Sequence, residues 1–247
     1  MTDALKISKK LSLALDRLPL KSIPFVYNPL DYAWAAHADF LQKYGNTQRK
    51  VLFLGMNPGP WGMAQTGVPF GEVSFVKDWL NIIGKISKPQ MECKQKPVTG
   101  LDCTRSEVSG KRFWGFAQKH FQTPQKFFKD FMVLNYCPLL FLDEGGRNLT
   151  PDKLAKAERE KIGKLCDVAL AEFIDFYKPE TVLGVGGFAK ACFERVVTNP
   201  KIQIGSILHP SPASPAANRG WEEQVVKQLQ AMGIIFEKQL TRHKHVE

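Results

Sequence analysis

What the chain lacks narrows it first. No apolar run approaches the roughly 20 residues that cross a bilayer. The N-terminus shows neither the apolar stretch nor the small-residue cleavage site of a signal peptide. An intracellular, reducing compartment and no membrane partner are therefore expected. Cysteine is scarce: Cys93, Cys103, Cys137, Cys166 and Cys192 are five, scattered and without a CxxC pair, which argues against a zinc ribbon. The Gly-Lys-Ser/Thr of a phosphate-cradling P-loop is missing, and so is the GxSxG elbow of a serine hydrolase. No Ser/Gly-rich linker or low-complexity tract divides the chain, so a single domain over 1–247 is expected.

What is present has ordinary globular composition, with 44% apolar and 23% charged residues in 247, enough for a sizeable core. Charge departs from the ordinary. Lys and Arg total 34 against 24 acidic residues, a formal charge of +10, and the pI is near 9.4. That balance is the electrostatic footprint of a nucleic-acid binder. The basic residues are spread out, from Lys50, Lys88, Lys94, Lys96, Lys111 and Arg112 to a tail at 238–247 holding Lys238, Arg242 and Lys244. A solvated terminus accounts for that tail as well as DNA contact does.

Hydrophobic periodicity predicts helices over about 5–18 and 30–44. The period then changes. Val51–Leu54, ending at Gly55, is a short continuous apolar run, the signature of a strand buried on both faces. Similar runs occur at Phe131–Leu134, Thr181–Val185 and Ile202–Leu208, with helical patterns at about 72–86, 151–177, 187–197 and 219–232. This alternation predicts an α/β fold: a three-layer α/β/α sandwich around a four-stranded, mainly parallel sheet.

Such sheets bind ligands outside the carboxyl ends of their strands. The residues just past the four runs are Gly55-Met56-Asn57-Pro58-Gly59-Pro60, Asn135-Tyr136-Cys137-Pro138, Gly186-Gly187-Phe188 and His209-Pro210-Ser211-Pro212. Two Asn, one His and glycine-rich backbone are thereby expected on one edge. Residues 55–72 are so rich in Gly and Pro that they form a rigid, closely turned loop, longer than a plain connection needs. Three prolines in 209–215 stiffen a second loop; a turn with His209 satisfied by a carbonyl is its plain alternative. Gly186 and Gly187 either let helix N–H groups approach a phosphate or simply pack the turn.

GMNPGPWGMAQTGVPFGEV at 55–73 and HPSPASPAANRGW at 209–221 together resemble the two signature segments of the uracil-DNA glycosylase superfamily. The nearest resemblance is to family 3, the single-strand-selective monofunctional enzymes, and it runs from about residue 25 to 235. It implies hydrolysis of the bond between uracil and deoxyribose in single- and double-stranded DNA, as base-excision repair that leaves an abasic site. Acceptance of 5-hydroxymethyluracil and related 5-substituted uracils is also implied. The same resemblance implies a monomer with no metal and no cofactor, in the cytoplasm or nucleoid of a bacterium or the nucleus of a eukaryote. Some relatives carry an iron–sulfur cluster, but the Cys93–Cys103 spacing is not a close ligand pair.

By that resemblance Asn57 positions the attacking water. A carboxamide can orient water but is too weak a base to take its proton. His209 donates to uracil O2 as charge grows there, Asn135 reads N3–H and O4, Phe70 stacks on the flipped base, and Met56 and Gly59 complete the base pocket. Glycine at 59 is expected to leave the C5 edge of the base open. Gly186, Gly187, Ser211, Pro212, Ala213, Ser214, Asn218 and Arg219 are expected to touch DNA, the 212–219 loop acting as the wedge in the base stack. The chain departs from the vertebrate pattern there, with Ala213-Ser214 where that pattern has Arg-Asn. A small Ala cannot fill a base-sized gap, so duplex substrate is expected to be handled poorly unless Asn218 or Arg219 substitutes. An inactive DNA-binding module and a glycosylase for mismatched thymine or hypoxanthine are the alternatives.

Overall fold

The computed structural model describes residues 3–236; the basic tail at 238–247 lies outside the described residues. In chain order the elements are α1 (Asp3–Asp16), β1 (Phe25–Tyr27), α2 (Pro29–Tyr32), α3 (Trp34–Tyr44), β2 (Val51–Gly55), α4 (Met63–Thr66), α5 (Val108–Phe121), α6 (Pro124–Phe128) and β3 (Phe131–Asn135). There follow β4 (Leu140–Leu142), β5 (Asn148–Leu149), α7 (Lys156–Tyr177), β6 (Thr181–Val185), α8 (Gly187–Val196), β7 (Gln203–Ile207), α9 (Pro215–Asn218) and α10 (Trp221–Ala231).

Four strands form the central sheet in the order β3-β2-β6-β7, all parallel. Every residue of β2 and β6 is buried, as strands covered on both faces must be. Alternation along the strands sends successive side chains to opposite layers. Leu54 and Leu134 face Leu11 of α1 and Leu170 and Phe173 of α7. Phe53 points the other way, meeting Phe113 of α5 with ring centroids 5.5 Å apart. Phe113 in turn approaches Trp221 of α10, and Phe131 stacks on Phe127 of α6. Helices α1, α7 and α8 thus cover one face and α5, α6 and α10 the other. This is the three-layer sandwich.

Register places the site. Gly55 lies opposite Asn135 and Val185 opposite Ile207, so all four strands end level. A separate small sheet joins β1, β4 and β5 antiparallel; strands of two and three residues are too short to announce themselves by periodicity.

The helix expected over 72–86 is not formed. Val76, Trp79, Leu80 and Ile82 are buried as their spacing suggested, but only a π-helical turn at Phe75–Trp79 results. The chain then swings through Asn81 at φ 50° and Gly84 at φ 158°. At Gly84 any side chain would strike the backbone of Ala35 and Ala36. The pattern near 30–44 divides into α2 and α3, that near 219–232 forms α10, and α9 before it was not anticipated. Helices α5 and α6 were not anticipated, although Phe113, Trp114, Phe116 and Ala117 carry a helical stripe and Thr123-Pro124 is an N-cap followed by Pro at the first helical position.

Candidate active site

The loop from Met56 to Glu72 is irregular but fully tied down. Tyr136 donates its N–H to Gly55 O and Cys137 to Met56 O, both at 2.9 Å, extending the β2–β3 ladder past the strand ends. Gln65 Nε2 donates to Pro60 O and Pro97 O, while its Oε1 accepts from Thr99 and Gly100. Trp114 Nε1 donates to Pro69 O at 3.3 Å. His37 Nδ1 bonds Gly67 O at 2.8 Å and its Nε2 bonds Ser8 Oγ at 3.1 Å. A loop so fastened loses little entropy when it meets a ligand.

Asn57 stands half-buried at the start of this loop. Its Nδ2 donates to Leu139 O at 3.3 Å, which fixes the amide and leaves Oδ1 as a free acceptor among the described residues. That is the orientation a water-positioning group needs, since the acceptor holds one of the water's protons.

Phe70 ends the loop with φ 52°, a region that bulky residues avoid and that is held only where the surroundings impose it. The ring stacks on Phe113, centroids 4.8 Å apart and planes 11° apart. It also faces the imidazole of His209 at 6.5 Å, tilted by 49°. A side chain on Gly55 would strike Asn135 Oδ1 and come within 2.9 Å of the Phe70 ring. Asn135 and Phe70 therefore meet over Gly55. Asn135 Nδ2 points at Met63 Sδ, 3.1 Å away, a weak acceptor readily exchanged for a ligand carbonyl.

His209 Nδ1 accepts the Ser211 N–H at 3.1 Å. Burial lowers its pKa below the ordinary imidazole value, so the ring is neutral and its proton sits on Nε2. Gly186, with φ 89°, packs against the same ring: a side chain there would lie 3.3 Å from His209 Cβ, whereas Gly187 opens onto empty space. Gly186 packs the turn, and Gly187 presents the start of α8 to the edge.

The 209–219 loop carries its own supports. Ser211 Oγ accepts from Ala213 N and Ser214 Oγ from Ala217 N, capping α9. Asn218 Nδ2 donates to Pro212 O at 2.9 Å. Arg112, on α5, reaches across to donate to Pro210 O at 3.0 Å and to Asn218 Oδ1 at 2.8 Å. Asn218, though exposed, thus bonds at both ends of its amide within the loop and to Arg112. Pro212, Ala213 and Arg219 are exposed.

Three features were not singled out as site residues in the sequence reading. Arg112 is one. The second is Trp61, half-buried beside Gly59, with Lys96 Nζ 4.9 Å and Arg105 4.8 Å from its ring centroid; an aromatic flanked by cations is a surface suited to a nucleic-acid strand. The third is Glu107. A side chain on Gly59 would come within 2.7 Å of its Oε1, so the carboxyl group fills the space where that side chain would stand. Burial pushes that carboxyl up to about 7.

A cavity of about 850 Å³ lies at the opposite end of the sheet, against the strand starts at Val51, Phe131 and Thr181. The convergent polar groups are at the carboxyl end, where parallel sheets bind their ligands, and the site is placed there.

The chain is similar to known proteins. The family model described as the uracil DNA glycosylase superfamily matches residues 42–230. The single-strand selective monofunctional uracil-DNA glycosylase of Rattus norvegicus is 48% identical over 212 residues, 85% of this chain and 76% of that protein. Its Bos taurus counterpart is 46% identical over 215 residues, 86% of this chain and 79% of that protein. The crystal structure of wild-type Pedobacter heparinus SMUG2 superposes with a TM-score of 0.65 at 19% identity, covering 92% of this chain and 97% of that one, a likeness of fold.

Proposed function

The chain belongs to the uracil DNA glycosylase superfamily, and from that premise we propose that it is a monofunctional uracil-DNA glycosylase of base-excision repair. It acts as a monomer on uracil in single- and double-stranded DNA and on 5-substituted uracils, and leaves an abasic site. Such a substrate places it wherever the cell keeps its DNA. The observation that carries this is the meeting of Phe70 and Asn135 over Gly55, two residues before Asn57, with the His209 ring 6.5 Å from that of Phe70.

The chemistry follows from those groups. A base reached only by leaving the stack needs a platform and a reader. Phe70 supplies the platform. Asn135 accepts from N3–H through Oδ1 and donates to O4 through Nδ2; cytosine presents the opposite pattern and leaves both atoms unpaired. The glycosidic bond breaks when the departing base can hold negative charge, and the Nε2–H of neutral His209 is aimed to stabilise that charge at O2. Asn57 Oδ1 then holds water for the sugar carbon. The start of α8 at Gly187 receives a phosphate, while Pro212, Ala213 and Arg219 meet the stack.

The test is a labelled oligonucleotide with one uracil, treated with protein and then alkali. Scission at the uracil is expected, falling about 10²–10³-fold in His209→Ala, as for other lost donors of this kind, and strongly in Asn57→Ala. Binding without scission by the parent chain would mark an inactive DNA-binding module instead.

A further inference from the structure

Trp61, Lys96 and Arg105 form a cluster that the chemistry above does not use. Gln65 brings the first two together, its amide donating to Pro60 O and Pro97 O, the carbonyls next to Trp61 and Lys96 in sequence. Tyr27 of β1 fixes the second segment again, donating to Lys96 O at 2.9 Å and accepting the Cys93 N–H at 2.7 Å. Arg105 arrives from the stretch that leads into α5. Lys96 Nζ then stands 4.9 Å and the Arg105 guanidinium 4.8 Å from the Trp61 ring centroid.

The donors of this cluster are unspent. Trp79, Trp114 and Trp221 each give their indole N–H to a backbone carbonyl, whereas that of Trp61 has no partner among the described residues. Neither the Lys96 nor the Arg105 side chain forms a hydrogen bond or ion pair among them, although Lys88 of the same stretch meets Glu92 at 2.9 Å. Covering an indole does not require charge, and a neutral chain would do it without setting two cations against each other. Resting on one ring holds both heads in place, which lowers the entropy lost when they meet an anion. An indole N–H, an ammonium and a guanidinium together suit a phosphate, whose several oxygens can accept from all three.

Position says which phosphate. Trp61 lies four residues past Asn57, in the loop after β2, and Lys96 hangs from β1, whose partner β4 follows β3. The cluster therefore flanks the slot on its β2–β3 side. Gly187 and the 209–219 loop follow β6 and β7 and flank the other side. A strand laid across the slot meets both. We propose that Trp61, Lys96 and Arg105 form a phosphate clamp for the substrate strand, gripping its backbone on one side of the flipped nucleotide while the start of α8 receives it on the other. This rests on the excision activity proposed above. The clamp reads no base and needs no complementary strand, so it serves single-stranded DNA, whose backbone no duplex holds in order.

Binding to an undamaged single-stranded oligonucleotide over a range of salt tests this in the parent, Lys96→Gln/Arg105→Gln and Lys129→Gln/Lys201→Gln. The last variant loses the same charge at the opposite end of the sheet. Each cation removed from the clamp should shallow the log–log salt dependence by about 0.7. The clamp variant should also bind about tenfold more weakly at moderate salt, and the control should stay near the parent in both. Trp61→Leu keeps both charges, so its slope should match the parent while its affinity falls several-fold. Single-turnover excision from uracil DNA should need about tenfold more clamp variant to reach half its maximum rate, with the maximum unchanged, as for lost uniform binding. Single neutral methylphosphonate linkages on either side of the uracil should each weaken the parent. In the clamp variant those on one side should lose their effect.

Equal losses of slope in the two double variants would show that net charge alone matters. A lower maximum rate with an unchanged slope would make the cluster a support of the Asn57 loop. Either result overturns the clamp. A parent chain that excises no uracil sinks the excision proposal instead, and the salt slope on undamaged DNA is read without it.

Discussion

The backbone N–H of Ser211 donates to Nδ1 of His209 at 3.1 Å, and that bond decides what the imidazole can do. An N–H can only give, so Nδ1 must keep its lone pair and the ring's proton must sit on Nε2. Protonating Nδ1 would set two N–H groups against each other and break the turn that shapes the 209–219 loop. Burial opposes the cation as well. Single-turnover rates on uracil DNA should be flat near neutrality and fall only at a pH below 6.5, the ordinary imidazole midpoint. An NMR titration of the His209 ring should give the same midpoint. A midpoint above 7 would mean a cationic His209 near neutrality and a different mode of charge stabilisation.

Arg112 holds the loop from the other side. Its guanidinium bonds Pro210 O and Asn218 Oδ1, joining α5 to both ends of the loop expected to enter the base stack. A duplex must be unstacked and held open at a cost of a few kcal/mol, a single strand much less. Arg112→Ala should therefore slow excision from duplex DNA about tenfold more than from a single strand. Equal losses on both substrates would assign Arg112 to general stability.

What the sequence revealed and what it hid have separate physical causes. Parallel strands buried on both faces appear as unbroken apolar runs, so β2, β3 and β6 and the residues at their ends could be read directly, whereas β7, an edge strand with Gln203 exposed and Ile204 and Ser206 half-buried, carries a weaker, broken pattern. Asn57, Asn135 and His209 were found because they follow those runs. Arg112 was not, since its partners lie 98 and 106 residues away and no local pattern marks such a pair. Gly59 is visible in the sequence as a missing side chain, but the carboxyl that fills that space comes from residue 107, and no local pattern marks it. The stretch at 72–86 misled. Its apolar residues are buried as a helix would bury them, while Asn81 and Gly84 turn the backbone away.

His37 links acid stability to the catalytic loop. It is buried between Gly67 O and Ser8 Oγ, and burial lowers its pKa to about 4. Between pH 4 and 6.5 the unfolded chain binds a proton there that the folded chain does not. The stability held above pH 6.5 is thus lost as pH falls toward 4, by about 3 kcal/mol for a shift of this size. Denaturant unfolding from pH 7.5 to 4.5 should show a shallower acid loss in His37→Gln than in the parent. Parallel curves would mean that the imidazole is solvated.

Glu107 should show the opposite sign. Its folded pKa of about 7 stands above the ordinary 4.5, so between those values the folded chain holds a proton that the unfolded chain has released. Stability is lost as pH rises through this window, by at most about 3 kcal/mol, less where water reaches the carboxyl. Glutamine carries no charge and keeps an acceptor for the Gly110 N–H. Glu107→Gln should therefore match the parent near pH 4.5 and exceed it at pH 8, where its Tm should be several degrees higher. This comparison needs no DNA, so it examines the half-buried carboxyl by itself. A variant that melts below the parent at pH 8 would show that the carboxylate is stabilised where it stands, and that Oε1 does not carry a proton near neutrality.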